Sequence, residues 1–530
     1  MHKILIADSL PQDILSKYDN SKSISIENKA GIAKEELITI LPQYNGLVVR
    51  SRTKVTAEVI GAGKNLKVIG RAGAGVDNID TAEATKRGII VMNTPGGNTI
   101  AATEHTIAMM LAAMRNIPRA NMSLLEEKWD RKTFMGHELF EKTIGVLGLG
   151  KIGFGVAKRL AAFDSKILVY DPIVTKDIAT SIGAQLVELN ELLENSDIIT
   201  IHAPKIPETM NLINKDRLKK CKNGVVIVNV ARGGIVNEAD LLEALNNGKV
   251  SSAAIDVYSS EPPTDFELVK HPHVVATPHL GASTIEAQEK VAEMILTQMK
   301  EYFENNVARN AVNFISLEPE IQSKIAPYFE LAHRVGTVFN QCKSGRLEEI
   351  TIRFYGDIVS LPIEPIAAYL LVGALSGAET EIINPVNALA MSRERGISIE
   401  IAKKDQALTS HTNLIACDFK TDRGFYHFAG TVFAKNKFHL TECGNFTCDA
   451  NLEGNMLFVE NEDIPGIIGQ VGSILANYKV NIGHLSSGRF KDKKTALNVF
   501  NLDTSVGKGV IEDLKKVKHI TQVYLTNIQE

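Results

Sequence analysis

Three polar residues come shortly after apolar, strand-like stretches in the middle of the chain. Arg232 follows the run GVVIVNVA, Glu261 comes three residues after SSAAIDVY, and His279 follows HVVATP. Such runs are typical of strands in a parallel sheet, and the carboxyl ends of parallel strands meet at one edge, where ligands bind. The sequence therefore predicts that a guanidinium, a carboxylate and an imidazole lie close together.

These three groups suit the oxidation of a secondary alcohol that carries a neighbouring carboxylate. A base must take the hydroxyl proton as hydride leaves the carbon, and an imidazole, whose ordinary pKa is about 6.5, can do this near neutral pH. His279 is the candidate base, and Glu261 would orient its ring and stabilise the imidazolium. Arg232 would bind the carboxylate of a 2-hydroxy acid and polarise the reacting oxygen. Each residue alone is more easily explained as an ordinary loop residue, so the prediction depends on the combination.

A glycine-rich stretch predicts the hydride acceptor. The apolar run from Thr143 leads into Gly148-x-Gly150-x-x-Gly153, the spacing of a dinucleotide-binding turn that opens a helix. Asp171 ends the next strand-like run, eighteen residues after Gly153, where an acid can hold a ribose diol. We therefore predict an NAD site in which Asp171 disfavours the 2′-phosphate of NADP. The predicted cofactor residues are Gly148, Gly150, Lys151, Ile152, Gly153, Asp171, Val230, Ala231, Arg232, Asp256, His279, Gly281 and Ala282.

Arginines and glycines in the first hundred residues suggest a substrate-binding surface. Arg50 and Ser51 follow one strand-like run, and Gly73, Ala74 and Gly75 come just after the next. The backbone N–H groups of a glycine-rich loop and a guanidinium can both bind a carboxylate or a phosphate. A turn with solvated arginines explains this segment equally well when it is taken alone.

Four sequence motifs within residues 1–310 resemble those of the D-2-hydroxyacid dehydrogenase family, namely GLGKIG, VNVARGGIVNE, DVYSSEPP and PHLGAST. The resemblance implies the catalytic roles given above. RAGAGVDNID, KWDRKTFMG and a long C-terminal extension further resemble the members that oxidise D-3-phosphoglycerate to 3-phosphohydroxypyruvate with NAD, the first step towards L-serine. For this chain it implies that Arg131 or Lys132 of a neighbouring subunit joins Arg50 at the substrate phosphate, in a homo-oligomer expected to be a tetramer.

The residues after 310 resemble two further modules. Residues 311–453 resemble the intervening domain of longer family members, which we interpret as a spacer and oligomerisation module. From residue 454 the order strand, helix, strand, strand, helix, strand is ferredoxin-like, and the turn DIPG resembles that of an ACT domain, which binds amino acids between paired copies. Pairing of exposed sheet edges would join two such modules. The resemblance implies L-serine as a feedback effector at Asn461, Asp463 and Asn481.

Length and composition limit the class of protein. With 530 residues the chain can form three or four domains. A net charge of −4 provides no basic field for nucleic acid or an anionic membrane, and the N-terminus lacks the apolar core of a signal peptide, which favours the cytoplasm. The five cysteines include no CxxC pair, so we expect neither disulfides nor a metal site.

The predicted architecture is α/β in its first part and α+β in its second. Strand-like and helical stretches alternate up to about residue 283, which predicts two doubly wound, Rossmann-like parallel sheets. The family resemblance implies that the chain then returns to the first sheet. The predicted domains are a substrate-binding domain (1–95 and 284–310), an NAD-binding domain (96–283), an intervening domain (311–453) and a ferredoxin-like ACT domain (454–530).

Two other functions fit parts of this pattern. An NAD-sensing regulatory protein could keep the fold for partner recognition, but all three catalytic positions are present and the C-terminal segment is not a disordered arm. A glyoxylate or hydroxypyruvate reductase would leave the residues after 310 without a role.

Overall fold

The computed structural model describes residues 1–315, 317, 319–376, 383–404, 412–434, 437–490 and 494–528. Their strands form sheets of five, seven, six and four strands in chain order. The predicted fold class is confirmed, because two parallel sheets are followed by a mixed sheet and a ferredoxin-like one. Within this part of the chain, no helix combines the length and apolar character that a membrane span requires. The five cysteines are free thiols.

The first sheet has five parallel strands, and four short helices pack against it. The strands are β1 (His2–Ile6), β2 (Ile24–Asn28), β3 (Gly46–Val49), β4 (Val68–Arg71) and β5 (Ile90–Met92), and the helices are α1 (Gln12–Ser16), α2 (Lys34–Ile40), α3 (Ala57–Ala62) and α4 (Thr81–Lys86). The sheet order is β2-β1-β3-β4-β5. Alternate residues of the apolar strands pack against α1 on one face and against α2, α3 and α4 on the other, which explains why these strands are continuous apolar runs.

The second sheet has seven parallel strands with helices on both faces. The strands are β6 (Thr143–Leu147), β7 (Lys166–Tyr170), β8 (Ala184–Leu186), β9 (Ile198–Ile201), β10 (Val225–Asn229), β11 (Val250–Ile255) and β12 (Val274–Ala276). The helices are α5 (Thr99–Met114), α6 (Ile117–Leu125), α7 (Lys151–Ala161), α8 (Lys176–Thr180), α9 (Leu189–Asn195), α10 (Lys215–Lys220), α11 (Glu238–Asn246) and α12 (Glu267–Lys270). The order β12-β11-β10-β9-β6-β7-β8 reverses direction beside β6, which opens a crevice at the carboxyl ends of β6 and β9.

Helix α13 (Ile285–Asn305) returns the chain to the first sheet. Its N-cap Thr284 accepts a hydrogen bond from the N–H of Ala287 at 3.2 Å, which starts the helix at the predicted place. Ile295 and Met299 are fully buried against the first sheet, in the same core as α1. The helix therefore packs where the family resemblance implied, while the domain boundaries themselves stay a prediction.

A mixed six-stranded sheet follows, with three helices. These elements are α14 (Pro319–Cys342), β13 (Leu347–Gly356), α15 (Glu364–Leu375), α16 (Ala388–Glu394), β14 (Ser398–Lys404), β15 (Asn413–Thr421), β16 (Gly424–Ala434), β17 (Lys437–Cys443) and β18 (Phe446–Asn451). The order is β14-β13-β15-β16-β17-β18, and among the described strands of this sheet only β13 and β14 pair in parallel. Helices α14 and α15 cover one face, where Phe339 stacks on Phe419 with ring centres 3.9 Å apart.

The last sheet is antiparallel and has the predicted ferredoxin-like element order. Its elements are β19 (Gly454–Glu462), α17 (Ile467–Asn477), β20 (Ile482–Phe490), β21 (Thr495–Leu502), α18 (Lys508–Lys515) and β22 (Ile520–Ile528). The side chains of β19 alternate: Met456 and Phe458 join the core of the six-stranded sheet, whereas Leu457 and Val459 pack with α17 and α18. Both faces of this sheet are therefore covered.

Two strands of the parallel sheets, β2 and β8, did not stand out in the sequence. Both lie at sheet edges, and each buries only its first residue fully, Ile24 in β2 and Ala184 in β8. A strand that contacts the core through one residue has no long apolar run, so its signal in the sequence is weak.

Candidate active site

The structure brings Arg232, Glu261 and His279 to one edge of the second sheet. They follow β10, β11 and β12 respectively, and all three line one cavity of about 530 Å³. Arg232 and His279 also line an adjoining cavity of about 400 Å³ beside α7. The juxtaposition that the sequence predicted is therefore present.

Glu261 contacts the imidazole directly. Its Oε2 lies 2.7 Å from Nδ1 of His279, and its Oε1 accepts a hydrogen bond from the N–H of Tyr258 at 3.1 Å. Burial raises the pKa of Glu261, but the hydrogen bond from His279, its charge and the Tyr258 N–H outweigh burial, so the pKa stays below its ordinary value. An ionised carboxylate on Nδ1 leaves Nε2 as the ring nitrogen that is free to take a proton.

Asp256 supports the backbone turn that presents the imidazole. His279 has a φ of 56°, in the left-handed region, which a residue other than glycine adopts only where its surroundings hold it. The fully buried Asp256 accepts the N–H of Leu280 at 2.7 Å and that of Gly281 at 2.9 Å. The carboxylate thus fixes the two residues after His279. A contact between Asp256 and the cofactor stays a prediction.

A hydroxyl and a second histidine complete the shell around Asp256. The hydroxyl of Thr277 donates to Oδ1 at 2.5 Å, and Nε2 of His105, from α5, lies 3.2 Å from the same oxygen. Burial raises the pKa of Asp256, but these hydrogen bonds together with backbone N–H groups hold it below its ordinary value. His105 therefore supports the turn at His279 indirectly, because it contacts Asp256, whose carboxylate holds that turn.

The glycine-rich turn fits a dinucleotide. Gly148 has a φ of 92°, and a Cβ at Gly153 would lie 2.0 Å from the carbonyl oxygen of Gly148, so the turn requires both glycines. Among the described residues, nothing lies within 4 Å of a Cβ built on Gly150, and no side chain caps the start of α7. The N–H groups of that helix start therefore face open space, as a pyrophosphate site requires.

Asp171 closes the turn from the neighbouring strand. Its Oδ2 accepts the N–H of Leu149 at 2.7 Å, and its Oδ1 accepts the N–H groups of Ile173 and Val174 at 2.8 and 3.1 Å. The carboxylate thus stands beside the glycines at the end of β7. Its contact with a ribose stays a prediction.

The remaining predicted cofactor residues lie around the cavity of about 400 Å³. Ile152, Val230, Ala231, Gly281 and Ala282 line it, and the predicted substrate residues Ala74 and Gly75 line its far side. The Lys151 ammonium lies beside Gly96, at the start of α7.

Further lining residues were not assigned from the sequence, and they are Asp77, Asn98, Ala102, His202, Ala203, Pro204 and Lys205. Burial lowers the pKa of His202 to about 3, so this ring is neutral. His202 follows β9, so the strand-end rule that found His279 could have found it too.

Arg71, at the start of the predicted glycine-rich loop, is a second cation on the substrate side of the site. It lines the cavity of about 530 Å³ with Ser51, Lys54, Asp77 and Lys205. Burial, followed by the charge of Arg232, lowers the pKa of Arg71 to about 10. Its buried Nε has no hydrogen-bond partner among the described residues. A cation whose buried donor has no hydrogen-bond partner is typical of an anion-binding site.

Arg50 is placed near this cavity, although it is not among the lining residues. Its Nη1 donates to the carbonyl of Ser9 at 3.2 Å, and its backbone N–H donates to Asp8 at 2.6 Å. Asn78 holds the strand end by donating to the carbonyl of Arg50 at 2.7 Å. Arg50 is close enough to Arg71 for its charge to contribute to the lowered pKa of that residue.

The predicted glycines pack against the arginine side chains. A Cβ at Gly75 would lie 2.0 Å from Nη2 of Arg232, and one at Gly73 would lie 1.7 Å from Nη1 of Arg71. These glycines therefore give two guanidinium groups room to lie on the loop.

Arg131 and Lys132 lie apart from the active site of their own chain. Both are exposed in the loop after α6, and neither lines either cavity. The nearby Asp130 accepts the N–H groups of Lys132 and Thr133 at 3.1 and 3.2 Å, which shapes the loop. A role for these cations therefore requires a second copy of the chain.

The predicted effector residues are not assembled within one chain. Asp463 follows β19 at the end where Glu462 pairs with Thr495, whereas Asn481 precedes β20 at the end where Ile482 pairs with Leu502. They lie at opposite ends of the sheet, roughly 20 Å apart at about 3.3 Å per residue. Because β19 and β20 run parallel, these two residues of one chain cannot contact the same ligand, and the expected site between paired copies stays a prediction.

The third predicted effector residue, Asn461, lies inside the sheet, and its role stays a prediction. Asn461 is buried, and its side chain accepts the amide of Asn498 at 2.8 Å. Strand β18 lies against β20, where Ser486 Oγ accepts the N–H of Asp449 at 2.8 Å and Gly488 approaches the carbonyl of Thr447. These contacts lie on one face of the sheet, and β20 remains an edge strand of the four-stranded sheet, so pairing of two copies at the edge stays a prediction.

Comparison with known protein families identifies three domains between residues 107 and 519. A family model described as the D-isomer specific 2-hydroxyacid dehydrogenase NAD binding domain matches residues 107–281. Models for the D-3-phosphoglycerate dehydrogenase intervening domain and the ACT domain match residues 324–443 and 455–519.

Two curated relatives and one solved structure are similar over large shares of the chain. D-3-phosphoglycerate dehydrogenase of Archaeoglobus fulgidus is 41% identical over 98% of both chains. That of a Synechocystis species is 39% identical over 100% of this chain and 95% of its own. The crystal structure of D-lactate dehydrogenase from Aquifex aeolicus, complexed with NAD and lactic acid, is 28% identical and covers 59% of this chain and 100% of its own, with a TM-score of 0.53.

Proposed function

The chain belongs to the D-3-phosphoglycerate dehydrogenases of the D-2-hydroxyacid dehydrogenase family, and we propose that Arg232, Glu261 and His279 carry out its reaction. The reaction oxidises D-3-phosphoglycerate to 3-phosphohydroxypyruvate with NAD. The observation that carries the residue assignment is the contact of 2.7 Å between His279 and Glu261 on a cavity that Arg232 shares.

Proton and charge movements in the reaction follow from this arrangement. Nε2 of His279 accepts the proton of the substrate hydroxyl, and Glu261 stabilises the resulting imidazolium through Nδ1. Arg232 binds the substrate carboxylate and, in the reverse direction, polarises the carbonyl oxygen. The glycine-rich turn would hold NAD, which would supply the acceptor for the hydride of the substrate carbon. Asp256 keeps the His279 turn in place throughout.

We assign binding of the substrate phosphate to cations at the ends of strands in the first sheet. Arg71 supplies a buried guanidinium with an unpaired Nε, and Arg50 adds charge beside it. A phosphate between them would receive charge-assisted hydrogen bonds from fixed donors. Arg131 and Lys132 of a second copy complete this group in the proposed assembly.

We assign the homo-oligomer, proposed to be a tetramer, to a surface around α6. None of the residues of α6 is buried, although Ile117, Leu124 and Leu125 lie on it. The adjacent Trp129 is 81% exposed, and Met135 is also exposed. Such a cluster of large apolar side chains is typical of a subunit interface. Burying it against a second copy would carry the neighbouring cations towards that copy.

We assign L-serine feedback to the ACT module, with Asp463 from one copy and Asn481 from another. A two-fold axis between modules brings opposite ends of equivalent strands together, so the separation of these residues within one chain fits a shared site. The carboxylate would bind the ammonium of serine and the amide its carboxylate or hydroxyl.

Inhibition curves of point variants test the effector site. Asp463→Ala and Asn481→Ala are expected to remove inhibition by millimolar serine while turnover remains. Glu512→Ala, an exposed acid on α18 of the same module, is the matched control and keeps the response. A wild-type enzyme that does not respond to serine would end the assignment, although the dehydrogenase assignment would stand.

Steady-state turnover tests the catalytic assignment. His279→Ala is expected to reduce kcat by about 10²- to 10⁴-fold with D-3-phosphoglycerate, because general acid–base catalysis is lost. NADH binding, followed by fluorescence, should be unchanged. A panel of other 2-hydroxy and 2-keto acids separates this activity from that of a glyoxylate or hydroxypyruvate reductase, and an active His279→Ala enzyme would refute the assigned base.

A further inference from the structure

An ion pair between Asp77 and Arg232 connects the region built on the first sheet with the region built on the second sheet. Nε of Arg232 donates to Oδ2 of Asp77 at 3.0 Å. Asp77 lies in the loop after β4 of the first sheet, whereas Arg232 follows β10 of the second. Both residues line both cavities. The carboxylate therefore stands where the cofactor side and the substrate side of the site meet.

The ion pair leaves one side of the guanidinium for a ligand. Nη1 of Arg232 donates to the carbonyl of Ala231 at 2.7 Å, so the Nε and Nη1 positions are both engaged. Among the described residues, Nη2 has no recorded hydrogen bond, and it lies over Gly75, which has no side chain to block it. The rotation of the guanidinium is thus fixed by Asp77 on one side and by a backbone carbonyl on the other.

Asp77 shares the cavity of about 530 Å³ with two cations. Arg71 and Arg232 both line it, and the charge of Arg232 lowers the pKa of Arg71, whereas the charge of Asp77 opposes that effect. An acid here also repels a substrate that carries a carboxylate and a phosphate. Its presence in such a site calls for a compensating role.

We propose that Asp77 is a positioning residue that holds Arg232 with Nη2 towards the substrate carboxylate. This inference rests on the proposed role of Arg232. The opposite hypothesis is that Asp77 competes with the substrate for Arg232. The two hypotheses differ in sign: removal of a positioning residue raises KM and lowers kcat, whereas removal of a competitor lowers KM.

The test measures kcat and KM for D-3-phosphoglycerate in Asp77→Asn and Asp77→Ala. Asparagine keeps an acceptor for Nε without the charge, so we expect kcat/KM to fall about tenfold, and about 10- to 100-fold for alanine. Both KM and kcat should change, because Arg232 binds the carboxylate and polarises the reacting oxygen. KM for NAD should stay constant. Asp13→Asn, an exposed acid on α1, is the charge-matched control and should match wild type.

A double variant separates this role from a general effect on the fold. If Asp77 acts through Arg232, adding Asp77→Asn to Arg232→Lys should reduce kcat/KM by less than about threefold further. If the losses in kcat/KM of the two single variants multiply in the double variant, or if KM falls in either Asp77 variant, the proposal is wrong. An Arg232→Lys enzyme with wild-type kinetics would instead refute the proposed function of Arg232, which is a separate outcome.

Discussion

Replacing Glu261 by glutamine tests whether its carboxylate stabilises the imidazolium of His279. The two side chains meet at 2.7 Å between Nδ1 and Oε2. Glutamine has nearly the same shape and keeps an oxygen that can accept the Nδ1 proton, so the ring tautomer can be retained. The substitution therefore removes the negative charge, and it also replaces the acceptor of the Tyr258 N–H by an amide NH₂.

The size of the effect follows from the contact and its exposure. A charge-assisted hydrogen bond contributes about 1.5–3 kcal/mol when it is protected from solvent. The side chains of His279 and Glu261 are 39% and 38% exposed, so solvent screens the charge and the lower end applies. A loss of about 1–1.5 kcal/mol corresponds to about one pH unit. Because imidazolium is less stabilised in the variant, the acid limb of kcat/KM for oxidation should move to lower pH by about one unit, and the plateau should fall about tenfold.

Initial rates of NADH formation across the pH range in which both proteins stay folded would measure this shift. Glu243→Gln is a suitable control, because this exposed acid on α11 pairs with Lys215 at 2.7 Å and is not among the residues that line either cavity. The control should reproduce the wild-type profile. An unchanged acid limb in Glu261→Gln would refute the argument that the carboxylate acts on the base.

Three further variants or substrates test other parts of the site. Turnover with NADP should be at least about tenfold lower than with NAD, because Asp171 would repel the 2′-phosphate; equal kcat/KM values would contradict this. Arg71→Ala and Arg50→Ala should weaken phosphorylated substrates by about 1.5–3 kcal/mol more than D-lactate, measured as kcat/KM, and a uniform loss would argue against a phosphate site. Asp256→Asn should lower the free energy of unfolding by about 2–4 kcal/mol, since an amide NH₂ would face a buried N–H donor. The lowered pKa of Asp256 means that its contribution is complete above the ordinary carboxyl pKa and is lost as pH falls through the lowered value, so denaturant curves of wild type and variant should converge in acid.

The catalytic arrangement could be predicted because it depends on one sheet. The runs before Arg232 and Glu261 are apolar since β10 and β11 are buried on both faces, whereas β12, before His279, is a half-buried edge strand. All three parallel strands deliver their carboxyl ends to one edge. The same rule applies to His202 at the end of β9. Residue type and strand position together were therefore sufficient for these side chains.

Contacts between separate sheets could not be predicted in the same way. The ion pair of Asp77 with Arg232 depends on how the first sheet sits against the second, and no local pattern encodes that placement. Asp463 and Asn481 flank one helix between parallel strands and so lie at opposite ends of the sheet, which the local sequence pattern does not show. Short edge strands such as β2 gave little signal for the reason that they bury little.

The C-terminal sheet is not an appendage that can be removed cleanly. Met456, Phe458 and Val499 of this sheet belong to the core that α14 forms with the six-stranded sheet. Gln341 of α14 also exchanges two hydrogen bonds with the backbone of Asn527, at 3.0 and 2.7 Å. Truncation would expose this apolar core to water, so loss of activity in a truncated chain would not report on regulation. Point variants at the effector residues avoid that problem.

Serine bound at the ACT module could affect the active site only through contacts between the C-terminal modules and the region of the first sheet. One such contact is seen among the described residues. The segment before α16 contacts the end of α4: the amide of Asn384 donates to the carbonyl of Gly88 at 2.8 Å, and that of Asn387 donates to Lys86 at 3.1 Å. Helix α4 begins four residues after Asp77, so these amides hold the C-terminal end of the helix that follows the Asp77 loop. Each bond contributes about 1 kcal/mol, which is the size that an allosteric coupling of about 1–3 kcal/mol requires. A rearrangement that breaks or makes these two bonds would therefore be sufficient to carry the proposed response to serine.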